Sequence, residues 1–176
     1  LGGTIEVESE LGKGSTFTVT LKHKIADESY YVKKHLEESG ISREILKDRS
    51  ILLAEDNDLN AEIAAVILER AGLKVERVED GLQCISRITE MPAGTYDIIL
   101  MDIQMPKMDG YKATQTIRNL SDQEKACIPI IAMTANAFEE DKRAAIAAGM
   151  NGHIAKPIQV DKLLSILAEM IRQQEN

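Results

Sequence analysis

Five polar residues stand where apolar runs stop, and their types could handle a phosphoryl group beside a divalent metal. Ile51-Leu52-Leu53-Ala54 runs into Glu55-Asp56, and Asp97-Ile98-Ile99-Leu100-Met101 runs into Asp102. Ile128-Pro129-Ile130-Ile131-Ala132-Met133 runs into Thr134, and Gly152-His153-Ile154-Ala155 runs into Lys156-Pro157. Two adjacent carboxylates in one loop stay ionised when a cation neutralises them. Mg²⁺ suits that task, taking one or two carboxylates plus waters and phosphate oxygens. A carboxylate ending a wholly apolar run is partly desolvated, and when held ionised it can attack phosphorus to form an acyl phosphate. A threonine hydroxyl could donate to a phosphoryl oxygen on Asp102, and a lysine ammonium could neutralise its charge as a point donor. Each residue alone also has an ordinary reading: an acid at a helix N-terminus, a cap, a turn threonine, a surface lysine. Their joint occurrence at successive run ends favours the chemistry.

For these groups to meet, the runs must be parallel strands whose carboxyl ends share one edge, where ligands of open α/β sheets bind. The pattern from Ser50 onward supplies such strands. Asp58 or Leu59 to Ala71 carries Ile63, Val66 and Ile67 on one helical face and stops at Gly72. A strand over 74–78 follows, then a helix over 81–90 ended by Met91-Pro92. Strands are expected over 97–101 and 128–133, apolar from Ile98 in the first and throughout in the second, as strands buried on both faces are. Helices are expected over 109–119 and 138–148, a short strand over 153–155, and a last amphipathic helix over 160–173 with Leu163, Leu164, Leu167 and Ile171. Five strand–helix units with right-handed crossovers make an α/β, doubly wound, five-stranded parallel sheet with helices on both faces.

The residues before Ser50 read differently. Thr4–Glu8 and Thr16–Leu21 alternate apolar and polar around Leu11-Gly12-Lys13-Gly14, which predicts a β-hairpin within residues 1–25. Gly12-Lys13-Gly14-Ser15 is not a phosphate loop, since strands flank it on both sides and the glycine spacing is too short. Residues 26–49 are charged and weakly periodic; Val32 and Leu36 allow a short helix before Ser39-Gly40, and the stretch reads as a linker.

The 176 residues carry a formal net charge of -8, which argues against a nucleic-acid surface. No apolar run reaches membrane-span length and no secretion signal opens the chain, so a cytoplasmic location without direct membrane contact is expected. With 44% hydrophobic but only 3% aromatic residues, the core is expected to be aliphatic. Cys84 and Cys127 are isolated and read as reduced thiols. The first residue is Leu1, which leads us to expect a piece of a longer chain.

Residues 50–174 resemble a response-regulator receiver domain of two-component signalling. The resemblance rests on Ile51-Leu52-Leu53-Ala54-Glu55-Asp56-Asn57, on Met101-Asp102-Ile103-Gln104-Met105-Pro106-Lys107-Met108-Asp109-Gly110, on Met133-Thr134-Ala135-Asn136-Ala137 and on His153-Ile154-Ala155-Lys156-Pro157-Ile158. It implies a flavodoxin-like sheet with strand order 2-1-3-4-5. It implies that Asp102 accepts a phosphoryl group from a phosphohistidine, and that Glu55, Asp56, Asp102 and the backbone carbonyl of Gln104 organise Mg²⁺, with Mn²⁺ as a substitute. Thr134 and Lys156 would bind the phosphoryl oxygens, and Thr134 would act with His153 as the switch. The family commonly places Tyr or Phe where His153 stands. Gln104 and Asn136 fall where it tunes hydrolysis. The switching surface is expected over 137–173.

Residues 1–25 resemble the closing hairpin of a sensor-kinase ATP-binding domain, through Gly2-Gly3-Thr4-Ile5, Glu8-Ser9 and Gly12-Lys13-Gly14-Ser15-Thr16-Phe17. The two resemblances together imply a hybrid histidine kinase whose receiver follows the kinase core. Expected partners are its phosphohistidine domain and a histidine phosphotransfer protein. A dimer through the 137–173 face or the hairpin is among the expected assemblies. The fragment lacks the kinase ATP motifs and would support only its own phosphorylation and dephosphorylation.

Three other readings compete. A haloacid-dehalogenase-type enzyme would want its nucleophile after the first strand and a second Asp two positions on, where Gln104 stands here. A flavin-binding relative would want a Ser/Thr/Gly-rich phosphate loop where Glu55-Asp56 stands. A pseudo-receiver, a phosphorylation-independent interaction module, would not need the full acidic, hydroxyl and lysine set.

Overall fold

A computed structural model describes residues 3–21, 43–135 and 139–174. The chain divides into two compact units, one ending at Tyr30 and the other running from Tyr31.

The first unit holds an antiparallel hairpin of β1 (Gly3–Glu10) and β2 (Gly14–Leu21). The pairs Ile5↔Val19 and Val7↔Phe17 put the apolar side chains on one face, and Glu6↔Thr18 and Glu8↔Thr16 occupy the other. That alternation is the period of two that a half-covered strand requires.

The first element among the described residues of the second unit is a single helical turn, α1 (Arg43–Leu46). Then β3 (Ser50–Ala54), α2 (Asp58–Arg70), β4 (Lys74–Val78), α3 (Gly81–Glu90) and β5 (Ile98–Asp102) alternate. They are followed by α4 (Gly110–Arg118), the short α5 (Gln123–Ala126), β6 (Ile130–Thr134), α6 (Glu139–Ala147), β7 (Gly152–Ala155) and α7 (Val160–Gln174). The five strands form one parallel sheet in the order β4-β3-β5-β6-β7. Counted within this unit, that is the expected 2-1-3-4-5.

Composition sorts the strands. β5 and β6 are apolar and wholly buried, and they lie inside the sheet, where both faces are covered. β4 (KVERV) and β7 (GHIA) carry polar or small residues and form the edges. One face of the sheet packs Leu53, Leu100 and Met133 against Ala64 and Leu68 of α2 and Leu163, Leu164 and Leu167 of α7. The other packs Leu52, Ile99, Met101 and Ile130 against Cys84 and Ile88 of α3, Ala113 and Ile117 of α4, and Ala145 of α6. Side-chain acceptors start the helices: Asn57, Asp80 and Asp109 each accept a backbone N–H three residues on.

Several boundaries differ from the sequence reading. β5 starts at Ile98 and takes in Asp102, while Asp97 stands just before it with its N–H on the Ser50 carbonyl at 2.8 Å. Its carboxylate accepts from the Ser50 N–H at 2.7 Å and from Arg49 at 3.1 Å. β6 starts at Ile130, whose N–H donates to Asn151 Oδ1 at 2.9 Å. The turn α5 has too short a pattern to be read locally. Residues 43–46, inside the stretch read as linker, form α1, and Leu46 is fully buried in the first core. The helix considered around Val32 and Leu36, the position of Asn136 and the expected helix start at Phe138 lie outside the described residues.

Candidate functional site

Parallel register brings the polar run ends to one edge. β3 and β5 are adjacent and in step, Ala54 opposite Met101, so Glu55-Asp56 and Asp102 emerge side by side. β6 pairs with β7 through Thr134 and Ala155, which delivers Thr134 and Lys156 to the same edge. The Lys156 N–H donates to the Thr134 carbonyl at 2.7 Å, and the Lys156–Pro157 peptide is cis.

Lys156 closes the cluster. Its ammonium donates to Glu55 Oε2 and to Asp102 Oδ2, each at 2.6 Å. Both carboxylates are buried, with side-chain exposures of 1% for Glu55 and 8% for Asp102. Asp102 Oδ1 accepts from the Gln104 N–H at 3.2 Å. Burial raises the Asp102 carboxyl above the ordinary aspartate value; the Lys156 hydrogen bond opposes this, and the nearby Glu55 charge adds to it. Burial pulls the Lys156 ammonium down, but its hydrogen bonds to Asp102 and Glu55 outweigh that and hold it above its ordinary value. The cluster is therefore rich in negative charge and only partly compensated by one cation.

Carboxylate oxygens of Glu55, Asp56 and Asp102 lie within 4.8 Å of one another, two of the residues buried and Asp56 exposed. Three hard oxygen donors with one side open to solvent are the donor set that Mg²⁺ prefers, because it keeps several waters.

Residues that the sequence reading did not single out hold these groups in place. Asn60, in the first turn of α2, donates from Nδ2 to Glu55 Oε1 at 3.0 Å, so both oxygens of Glu55 are engaged. Arg77 on β4 donates to the carbonyls of Glu55 and Asp56 at 3.1 and 3.2 Å and pairs with Asp58 at 2.8 Å, pinning the acidic loop from the neighbouring strand. The i, i+5 spacing of Glu55 and Asn60 across a strand–helix turn was the available signal for the first; nothing local marks Arg77. Gly110 lies against the Asp102 backbone so closely that a Cβ would collide with the Asp102 carbonyl oxygen.

Thr134 is buried at the end of β6 beside this cluster. Gln104 is exposed in the loop after β5. His153 stands apart: it pairs with Ala132 two rungs below the edge, is half-buried, and lines a cavity of about 480 Å³ with Pro157, Lys162 and Ile166. Leu59 and Ile63, on the first turns of α2 next to the acidic loop, expose 65% and 48% of their surface.

A family model described as the response regulator receiver domain matches residues 51–168. The signal transduction histidine-protein kinase BarA of Escherichia coli is 37% identical over 118 residues, covering 67% of this chain and 12% of that protein. The autoinducer 2 sensor kinase/phosphatase LuxQ of Vibrio vulnificus is 37% identical over 164 residues, covering 93% of this chain and 18% of LuxQ. This chain spans between 8% and 19% of the length of such curated relatives. Among solved structures, the receiver domain of the Pseudomonas aeruginosa sensor histidine kinase PA1611, with a magnesium ion coordinated in its active-site cleft, matches with TM-score 0.64 and 38% identity. The match covers 71% of this chain and 98% of that one. The Saccharomyces cerevisiae receiver domain of Ssk1, solved with the phosphotransfer protein Ypd1, matches with TM-score 0.66 and 26% identity over 73% of this chain and 92% of that one. Among the described residues no helix is long and apolar enough to cross a membrane.

Proposed function

The chain belongs to the response regulator receiver domain family, and from that premise we propose that Asp102 is its phosphoacceptor and that it relays phosphoryl groups within a hybrid histidine kinase. The observation that carries this reading is the Lys156 ammonium, 2.6 Å from both Glu55 and Asp102 at the carboxyl edge of the sheet.

Asp102 Oδ attacks the phosphorus of a phosphohistidine. A P–O bond forms, the P–N bond breaks, and its electron pair returns to the imidazole nitrogen. Such transfers need positioning and charge neutralisation more than covalent machinery. Lys156 neutralises phosphoryl charge from one side, and the Thr134 hydroxyl donates to a phosphoryl oxygen. Glu55, Asp56, Asp102 and the Gln104 carbonyl would hold Mg²⁺, or Mn²⁺ in its place, which supplies further positive charge at the phosphoryl oxygens. Asn60 and Arg77 keep the acidic loop in the geometry that receives it.

The phosphoryl group then passes from Asp102 to the imidazole of a histidine phosphotransfer protein: a P–N bond forms, the Asp102 O–P bond breaks, and its electron pair returns to the carboxylate. The Ssk1–Ypd1 likeness supports that class of partner, and exposed Leu59 and Ile63 beside the acidic loop provide an apolar rim on which such a protein can rest. We take the 1–25 hairpin as the end of a kinase ATP-binding domain, a reading supported by the LuxQ match over 93% of the chain.

The test is intact mass after incubation with acetyl phosphate, with and without Mg²⁺, on the parent chain and on Asp102→Asn. A Mg²⁺-dependent gain of one phosphoryl group, absent in the variant, is expected. A folded parent chain that gains none, from acetyl phosphate or from a phosphorylated kinase core, would instead be a phosphorylation-independent interaction module.

A further inference from the structure

The loop between Asp102 and α4 contains a backbone conformation that its own sequence does not favour. Lys107 has φ +60°, and the Met108 N–H donates to the Pro106 carbonyl at 2.6 Å. Together these make a three-residue γ-turn of the rare hand, with a long-chain residue at the position where glycine is cheapest. A residue in this region persists when its surroundings over-determine it.

Those surroundings are the Asp80-Gly81 dipeptide at the start of α3. The Lys107 ammonium lies 2.6 Å from Asp80 Oδ2, and the Asp80 side chain is 1% exposed. Asp80 is itself immobile, because Oδ1 caps α3 through the Gln83 N–H at 2.8 Å and Oδ2 also accepts from Gln83 Nε2 at 3.3 Å. The Gly81 N–H donates to the Met108 carbonyl at 3.2 Å. A Cβ on Gly81 would come within 2.7 Å of that carbonyl oxygen, so the two loops touch backbone to backbone. The loop is also closed on itself by the Gly110 N–H on the Ile103 carbonyl at 3.0 Å, and tied to β6 by the Ile103 N–H on the Met133 carbonyl at 3.2 Å. Between those ties, residues 104–108 are held by the Gln104 N–H on Asp102 Oδ1, by buried Met105, and laterally by the Asp80–Lys107 pair and the Gly81–Met108 bond.

We propose that Lys107 is a positioning residue: through its ion pair with buried Asp80 it holds the γ-turn, and with it the Gln104 carbonyl, in the arrangement that receives the divalent cation. This rests on the reading of Glu55, Asp56, Asp102 and Gln104 as the cation site. Outer-shell partners that orient ligands change metal affinity by roughly 10–100-fold when removed. Lys107 acts one step further out, so a loss of about tenfold is expected.

The sign of the effect separates positioning from simple charge. Removing a cation from the neighbourhood of a Mg²⁺ site strengthens Mg²⁺ binding by Coulomb's law; loosening the loop weakens it. Two variants make the test independent of folding. Lys107→Gln removes the ion pair and keeps the disfavoured φ. Lys107→Gly removes the ion pair and relieves the φ, so its thermal midpoint falls less than that of Lys107→Gln.

The experiment titrates Mg²⁺ by calorimetry into the parent chain, Lys107→Gln, Lys107→Gly, Lys107→Arg and Asp102→Asn, with acetyl phosphate labelling in parallel. Expected results are about tenfold weaker Mg²⁺ binding in Gln and Gly, recovery in Arg, and labelling rates that return to the parent value at saturating Mg²⁺. Binding in Gln and Gly equal to or tighter than in the parent overturns the proposal and leaves the phosphoacceptor reading standing. A parent chain that neither binds Mg²⁺ nor labels removes the cation site, and both readings fall.

Discussion

Replacing Lys156 by Met tests the electrostatics of the site most directly, because Met keeps the aliphatic stem and removes only the ammonium. That ammonium bridges Glu55 and Asp102, whose side chains are 1% and 8% exposed. Without it, two buried carboxylates face each other with no counter-charge. Removing one partner of a buried ion pair costs about 3–5 kcal/mol. Water reaches the cluster from the exposed Asp56 side, so about 2–3 kcal/mol is the better figure here. For a domain of this size that is a fall of roughly 6–15 °C in thermal midpoint in the presence of a chelator. Magnesium should reverse much of it. A ligand at a hundred times its Kd adds about 2.7 kcal/mol of stability, and in Lys156→Met it meets no ammonium competing for the same oxygens. Mg²⁺ is therefore expected to raise the midpoint of Lys156→Met by more degrees than that of the parent chain, as followed by circular dichroism. Equal shifts in the two proteins, or a chelated variant as stable as the parent, would refute the reasoning.

Three further perturbations probe the scaffold. Thr114 on α4 is fully buried, and its Oγ1 is the buried side-chain atom without a hydrogen-bond partner among the described residues. Thr114→Val, which keeps the shape and removes the orphan hydroxyl, should leave stability unchanged or raise it by about 1 kcal/mol in urea unfolding. Leu46→Ala should cost about 2–4 kcal/mol in the same assay, since Leu46 is fully buried in the core beside α7, whereas an unattached linker residue would show no effect. Asp80 is held below the ordinary aspartate value: burial pushes its carboxyl up, but the Lys107 hydrogen bond and the Gln83 N–H outweigh it. A depressed folded value means that its stabilisation is complete above the unfolded value of about 3.9 and is lost as pH falls below it. Asp80→Asn should accordingly flatten the acid limb of the stability curve below about pH 4, and an unchanged limb would contradict the Asp80 assignment.

The sequence by itself determined the five strands of the parallel sheet, the burial of two of them on both faces, and the polar residues that end the apolar runs. β5 and β6 read as buried because every residue in their core is apolar, and Asp102 and Thr134 were visible because polarity appears abruptly where those runs end. Such patterns are local, and a period or a break in it survives in the linear order. The caps were equally legible in principle, since Asn57, Asp80 and Asp109 each act on a residue three positions away.

Tertiary structure decided everything that joins residues distant in the chain. Lys156 and Glu55 are 101 positions apart and meet because the sheet order places β3, β5, β6 and β7 in succession with their carboxyl ends level. Leu46 looked like linker because one turn of helix has no measurable period; its role comes from the α7 surface it covers. Arg118 reads as an ordinary charged residue at a helix end, yet its guanidinium donates to the carbonyls of Ala126, Ile128 and Gly149 and to Asn151 Oδ1, at 2.6 to 2.8 Å, joining the end of α4 to the segments before β6 and before β7. Lys107 likewise looks like an ordinary loop lysine, yet its ammonium meets buried Asp80 27 positions upstream. Side-chain chemistry is written residue by residue, but the partner that makes it useful is chosen by topology, which only the folded sheet expresses.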